Sequence, residues 1–300
     1  MLCAAHADVL ASQQEGGWGW YLYGVTRRRR PGEAAPVFGV GLDGQSAVVV
    51  LPFGSLAAVV SRVPLAALGA GAIQARLRDA SWLEAMVRGH QRIVEAAHRA
   101  GAILPAKFGS VYAEQEDLIA ALKEAHDALL ARVERIAGCD EWGVRLYAHR
   151  PTMERRAGAR DSIAQQLQQD IAAASPGRAY FLRRKLAAAL IEATDQALGE
   201  LAQAGYDCLA GYALAGQVSR RPDERRGPGE EVEVLRATFL VSRTVGSAFE
   251  GAIHRFTGSG EGLRCEYSGP WAPYSFVGLD GHDPGAGHST DVDSKQEAQR

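Results

Sequence analysis

The stretch GPWAPYSFV, Gly269 to Val277, sets two prolines among Trp271, Tyr274 and Phe276 shortly before a polar C-terminal sequence. Pro270 and Pro273 spell P-x-x-P, the pattern of a polyproline ligand offered to another protein. The same residues also suit the closing piece of a folded core, because aromatic side chains carry a large apolar area. The first reading makes the protein an adaptor that displays a peptide, and the second makes the stretch the end of a domain.

Moving N-terminally, the stretch continues a strand-like run, LRCEYSGPW, that follows a short helix at about Thr244–Phe256 and a strand EVLRATFLVSR. Before these come the charged, Pro/Gly-broken loop RRPDERRGPGEE and a run read as strand, YDCLAGYALAG. A long helix is expected over about Ala179–Ala204, striped by Leu182, Leu186, Leu190, Ala197, Leu198 and Leu201. A polar helical stretch, about Thr152–Ala174, ends at Ser175-Pro176-Gly177. Helix, strand, loop, strand, helix, strand is a ferredoxin-like fragment, with helices on one face of an antiparallel sheet.

The first half alternates strands and helices. WGWYLYGVTR (Trp18–Arg27) reads as a strand, and Ala47–Val63 as two strands with a turn or bulge at Pro52 and Gly54. Ile73, Leu77, Leu83, Met86, Val87, Ile93, Val94 and Ala97 stripe a helix over about Ala72–Ala100. AILPAKFGSVY is strand-like, Glu114–Ala137 a second striped helix, and EWGVRLYAH (Glu141–His149) a strand closing this half. The expectation is an α+β protein of two domains: a mixed α/β domain over residues 18–150 and a ferredoxin-like one over 151–278. Residues 1–17 read as a loose leader, and 279–300, without apolar periodicity, as a disordered tail.

The balance of 33 basic and 35 acidic residues, net −2, provides no general basic field for nucleic acid or anionic lipid. The four cysteines, Cys3, Cys139, Cys208 and Cys265, are scattered and form no C-x-x-C pair, which points to free thiols in a reducing cytoplasm rather than a zinc site. No apolar run reaches the ~20 residues of a membrane helix, and the N-terminus lacks the layout of a signal peptide.

GVGLDG (Gly39–Gly44) matches G-x-G-x-x-G, but that fingerprint needs a helix after it to receive the pyrophosphate, and QSAVVVLPF reads as strand. Leu42-Asp43-Gly44-Gln45 is better read as a hairpin turn with Gly44 at positive φ. RRRR (Arg27–Arg30) is a solvated loop without interleaved aromatics. The histidines have no ligand spacing, and His90, near the apolar stripe of its helix, reads as a packed, hydrogen-bonded side chain. No nucleophile motif and no paired base stand out, so neither catalytic residues nor a cofactor are expected. Arg183 and Arg184, with Lys185, open a long helix after a Pro-Gly break. Positive charge there opposes the helix dipole, which hints at a partner, or at a cationic face of snorkelling side chains.

YLYGV (Tyr21–Val25), ILPAKFGSVY (Ile103–Tyr112), EWGVRLY (Glu141–Tyr147), AYFLRRK (Ala179–Lys185) and GPWAPYSFV together resemble the gas vesicle protein F/L family, in the family's order and across most of Trp18–Val277. Lys107, where the family commonly has arginine, and Ala272, where it commonly has proline, are mild departures. The resemblance implies an N-terminal α+β domain and a C-terminal modified ferredoxin-like domain. GPWAPYSFV would then be the signature closing the second domain, with its aromatics mostly packed inward. It also implies no enzyme activity: members are minor components or assembly factors that act with the hydrophobic wall protein, gas vesicle protein A, and other accessory proteins; the charge balance and apolar runs above argue against nucleic acid and a lipid membrane as partners. Chaperone-like binding of that wall protein in the cytoplasm and on the vesicle is the expected role. A peptide-displaying adaptor and an enzyme on a ferredoxin-like scaffold are the alternatives. Arg183 and Arg184 are the candidate partner-binding residues.

Overall fold

The computed structural model describes residues 17–30, 32–33, 36–219, 230–258 and 260–277. Two compact units emerge: one holds the described residues up to Ile93, Pro105–Leu129 and the segment from Ser275, the other Val94–Leu104 and Leu130–Tyr274. The leader and tail expectations fall outside the described residues, apart from Gly17.

In the first unit, β1 (Trp18–Arg27) is rich in aromatic and β-branched residues and is buried along most of its length. It pairs antiparallel with β3 (Leu56–Pro64), which pairs with β2 (Val48–Phe53). Pro52 is tolerated in β2 because that strand lies at the sheet edge, where a missing N–H breaks no ladder. The β2–β3 turn is made by Gly54 at φ +58, as Pro52 and Gly54 led one to expect. After α1 (Leu65–Leu68) and α2 (Ala70–Arg76), the main helix α3 (Ala80–Ala100) begins. The single helix expected over residues 72–100 is thus interrupted, with Asp79 accepting from the Trp82 N–H at 3.1 Å to start the second part. β4 (Ile103–Pro105) and the short β5 (Val111–Tyr112) complete a five-stranded sheet ordered β2-β3-β1-β4, with β5 also on β1. The second striped helix is likewise two, α4 (Gln115–Glu124) and α5 (His126–Arg135).

The second unit is built on β6 (Cys139–His149). The sequence placed this strand at the end of the first half, and a division at residue 150 cuts it from its partners. It is in fact a central strand, flanked antiparallel by β8 (Glu231–Ser242) and β9 (Leu263–Trp271), with β7 (Ala215–Val218) outside β8. The order is β7-β8-β6-β9. Between β6 and β7 run α6 (Arg150–Arg160), α7 (Ser162–Ala172) and the 35-residue α8 (Pro176–Ala210); α9 (Gly246–Gly258) joins β8 to β9. This is the ferredoxin-like strand order, with three helices where one crossover helix would serve. Asp161 separates α6 from α7 by capping the Ala164 N–H at 2.6 Å.

Alternate residues of β6 and β8, namely Trp142, Val144 and Leu146 with Leu235, Ala237, Phe239 and Val241, form one apolar row, covered by Leu209 of α8 and by Phe249 and Ile253 of α9. YDCLAGYALAG, expected as a strand, divides: Tyr206–Ala210 end α8, with Leu209 buried four residues after the buried Gly205, and the strand starts only at Ala215.

Candidate partner-binding surface

GPWAPYSFV is folded chain. Its first three residues end β9, where Trp271 pairs with Glu141, and Gly269 at φ +138 leaves no room for a side chain against the Glu141 carbonyl and the Trp142 ring. Pro273 and Ala272 are buried, as is Phe276 at 0% exposure. The expectation that the aromatics pack inward holds for Phe276 alone. Trp271 and Tyr274 remain 44% and 38% exposed.

The motifs set aside in the sequence have structural places. The Gly39–Gly44 stretch leads into β2 rather than a helix. Gly44 has φ +73, and Asp43 accepts from the N–H groups of Gln45 and Ser46 at 3.1 and 2.9 Å. Leu42 N–H donates to Tyr23 Oη at 3.0 Å, and Tyr23 Oη bonds Ser61 Oγ at 2.8 Å. A Cβ on Gly41 would collide with that same Ser61 side chain, so this glycine serves close packing on the sheet. His90 is packed and hydrogen-bonded: its Nδ1 lies 3.0 Å from Tyr21 Oη, which accepts from the Gly109 N–H. Burial pushes the His90 pKa down to about 4.

In the second unit a polar cluster escaped the sequence reading. His98 Nε2 lies 2.7 Å from Asp140 Oδ1. Arg243 donates through Nε to the same oxygen at 2.9 Å and through Nη2 to the His98 carbonyl at 2.8 Å. Burial lowers the His98 pKa, against the opposing hydrogen bond to Asp140. A histidine–carboxylate pair beside Cys139 has the outline of a nucleophilic site. However, burial and then the Asp140 charge raise the thiol pKa, so the nucleophilic thiolate is disfavoured. The cluster reads as an anchor holding the turn after β8 to β6. Among the described residues no group of three or more His, Cys, Asp or Glu is placed to hold a metal ion.

Several apolar side chains of the second unit stand exposed. Tyr212, Leu214 and Val218 flank or belong to β7, the outermost strand, with Leu214 66% and Val218 57% exposed. A second exposed face runs along α8. Tyr180 and Phe181 stand edge to face with centroids 5.7 Å apart and are 60% and 66% exposed, and Ile191 lies further along. Arg183 and Arg184 are exposed beside them, without an ion-pair partner among the described residues. Because α8 starts at Pro176, these arginines lie in its second and third turns, beyond the reach of the helix terminus. The dipole argument for them fails, and their apolar neighbours are the stronger signal. Those neighbours could have been found by noting that Tyr180 and Phe181 lie off the leucine stripe.

The second unit is a two-layer α+β fold with bare apolar side chains at the β7 edge and along α8. The comparisons identify its family. Residues 19–278 match the family model described as gas vesicle synthesis protein GvpL/GvpF, and the chain belongs to this family. It is 32% identical to gas vesicle protein L of Streptomyces sp. (strain CB03234) over 263 residues, 86% of this chain and 92% of that one. Gas vesicle protein F of the same strain is 26% identical over 257 residues, covering 86% and 98%. The fold is similar to the crystal structure of gas vesicle protein GvpF from Anabaena sp. PCC7120, with a TM-score of 0.59, 20% identity, and coverage of 89% of this chain and 99% of that one. No helix among the described residues is long and apolar enough to cross a membrane.

Proposed function

We propose that the protein is a non-catalytic accessory of gas vesicle assembly, acting in the cytoplasm and at the growing vesicle together with other accessory proteins. Its direct partner is gas vesicle protein A, whose exposed strands and apolar faces would otherwise self-associate before reaching the shell. Family membership supports the setting. The observation that carries the mechanism is the β7 edge, where Leu214 and Val218 stand bare beside the outermost strand of an antiparallel sheet. A strand of the wall protein added there gains main-chain hydrogen bonds and covers apolar side chains on both partners. The adaptor alternative loses its support, because Pro270 lies within a paired strand and Pro273 is buried.

The test is the solubility of purified gas vesicle protein A with and without an equimolar amount of this chain, in the absence of ATP. Aggregation should be suppressed, the complex should survive high salt because its contact is apolar, and Leu214→Asp with Val218→Asp should abolish protection without altering the melting temperature. Aggregation that proceeds equally in both samples would sink the mechanism.

A further inference from the structure

The exposed face of α8 is electrically polarised. Residues 176–190 carry Arg178, Arg183, Arg184 and Lys185 and no acid; residues 191–210 carry Glu192, Asp195, Glu200 and Asp207 and no base. A helix that merely faces water intermixes its charges in i,i+4 pairs, and here the signs are segregated into halves. Along the boundary runs a row at alternating steps of four and three: Phe181, Arg184, Ala188, Ile191 and Asp195, all exposed. This is the spacing by which one helix packs on another, and α8 presents it to solvent.

We propose that this face is a two-fold interface, in which α8 packs antiparallel against α8 of a second copy of the chain. The charge pattern selects that occupant. An antiparallel copy lays each basic half on an acidic half and opposes the two helix dipoles, whereas a parallel copy lays like on like. A two-fold contact requires one patch complementary to itself, which a helix with basic and acidic halves provides. One register pairs the stretch from Arg184 to Asp195 with itself. Setting Arg184 against Asp195 also sets Ala188 against Ile191 and Tyr180 against Gly199, each contact made twice. Ala187 and Ala188 at the centre allow close approach, and the space over Gly199 is open, with no heavy atom within 4 Å of an added Cβ. Asp195 Oδ1 accepts from Arg150 Nη2 at 3.0 Å, and no described residue bonds its other carboxylate oxygen, which faces the partner's Arg184 in this register. This use of Arg184 is independent of the wall-protein contact at β7.

The experiment is sedimentation velocity of the full chain across a concentration series, at low and high salt. The expected result is a monomer–dimer equilibrium that weakens as salt rises. Arg184→Glu alone and Asp195→Arg alone should each weaken self-association by about tenfold or more, since each puts like charges together twice. Mixing the two variants should restore it, because in the mixed dimer both pairs are again of opposite sign. That recovery cannot arise from misfolding, and melting curves of the separate variants check that each folds. A chain monomeric at all concentrations, a dimer indifferent to both reversals, or variants that fail to recover on mixing would each overturn the proposal. So would a monomer whose Arg184→Glu form instead loses gas vesicle protein A, since that assigns the face to the wall protein.

Discussion

Tyr21 with His90, and Tyr23 with Ser61, lie buried on the first sheet and its helix and bond as neutral pairs. On the second sheet, Arg264 reaches Glu231 at 2.7 Å and Glu266 at 2.6 Å, lies 4.1 Å over the Tyr147 ring, and remains 36% exposed. Burial raises the cost of a charge, so the first arrangement works only while it stays uncharged; the second keeps its charges because water still reaches them. Similar hydrogen-bond chemistry therefore produces a strict packing requirement in one unit and a tolerant surface in the other.

The largest effect should come from the apolar layer of the second sheet, beside which its ionic surface is minor. Phe249 is fully buried, with its ring 5.7 Å from Trp142 and 5.5 Å from Phe239. Phe249→Ala should cost about 3–5 kcal/mol in urea denaturation, and a loss near zero would mean this layer is not the core of the unit.

Next is acid sensitivity of the first unit. The His90 pKa is lowered to about 4 in the fold, below the ordinary histidine value of 6.5, so the unfolded chain takes up the proton first as pH falls. The stability due to neutral His90 is present above pH ~6.5 and is lost down to about pH 4, a span worth roughly 3 kcal/mol. Stability followed over this range should drop, and His90→Gln should flatten the dependence. An unchanged slope in the variant would assign the acid sensitivity elsewhere.

The smallest effect belongs to the charged surface. Arg264→Ala should lower stability by no more than about 1 kcal/mol, and less at high salt, because exposed ion pairs are screened and entropically costly. A loss comparable with that of Phe249→Ala would erase the contrast between the two sheets.

Local signals in the sequence carried most of the element boundaries. Pro52 and Gly54 marked a turn between two strands, Asp43-Gly44 marked a hairpin, and the stripe through Ile93, Val94 and Ala97 marked α3. The sheet to which a strand belongs is not a local property. EWGVRLYAH alternates correctly but contains nothing that names β8 and β9 as its neighbours, so it was grouped with the chain before it. The strand reading of Tyr206–Gly216 holds only for Ala215 and Gly216, because its other small residues fit a helix face as readily as a strand. The dipole reading of Arg183 and Arg184 requires a helix start nearer to them than Pro176, and Tyr180, Phe181 and Ile191 carry no distinct signal, because apolar residues in a helix usually mean core.

The central place of β6 has a consequence for biosynthesis. The ribosome makes this strand at residues 139–149, but its neighbours come only at residues 231–242 and 263–271. Throughout the intervening synthesis both pairing edges of the strand lack their native neighbours, and the apolar row of Trp142, Val144 and Leu146 lacks its cover of Phe249 and Ile253 from α9. Such long-range pairing folds slowly and leaves nascent chains open to wrong association. A protein proposed to guard another from premature aggregation thus passes, while it is being made, through the same exposure itself.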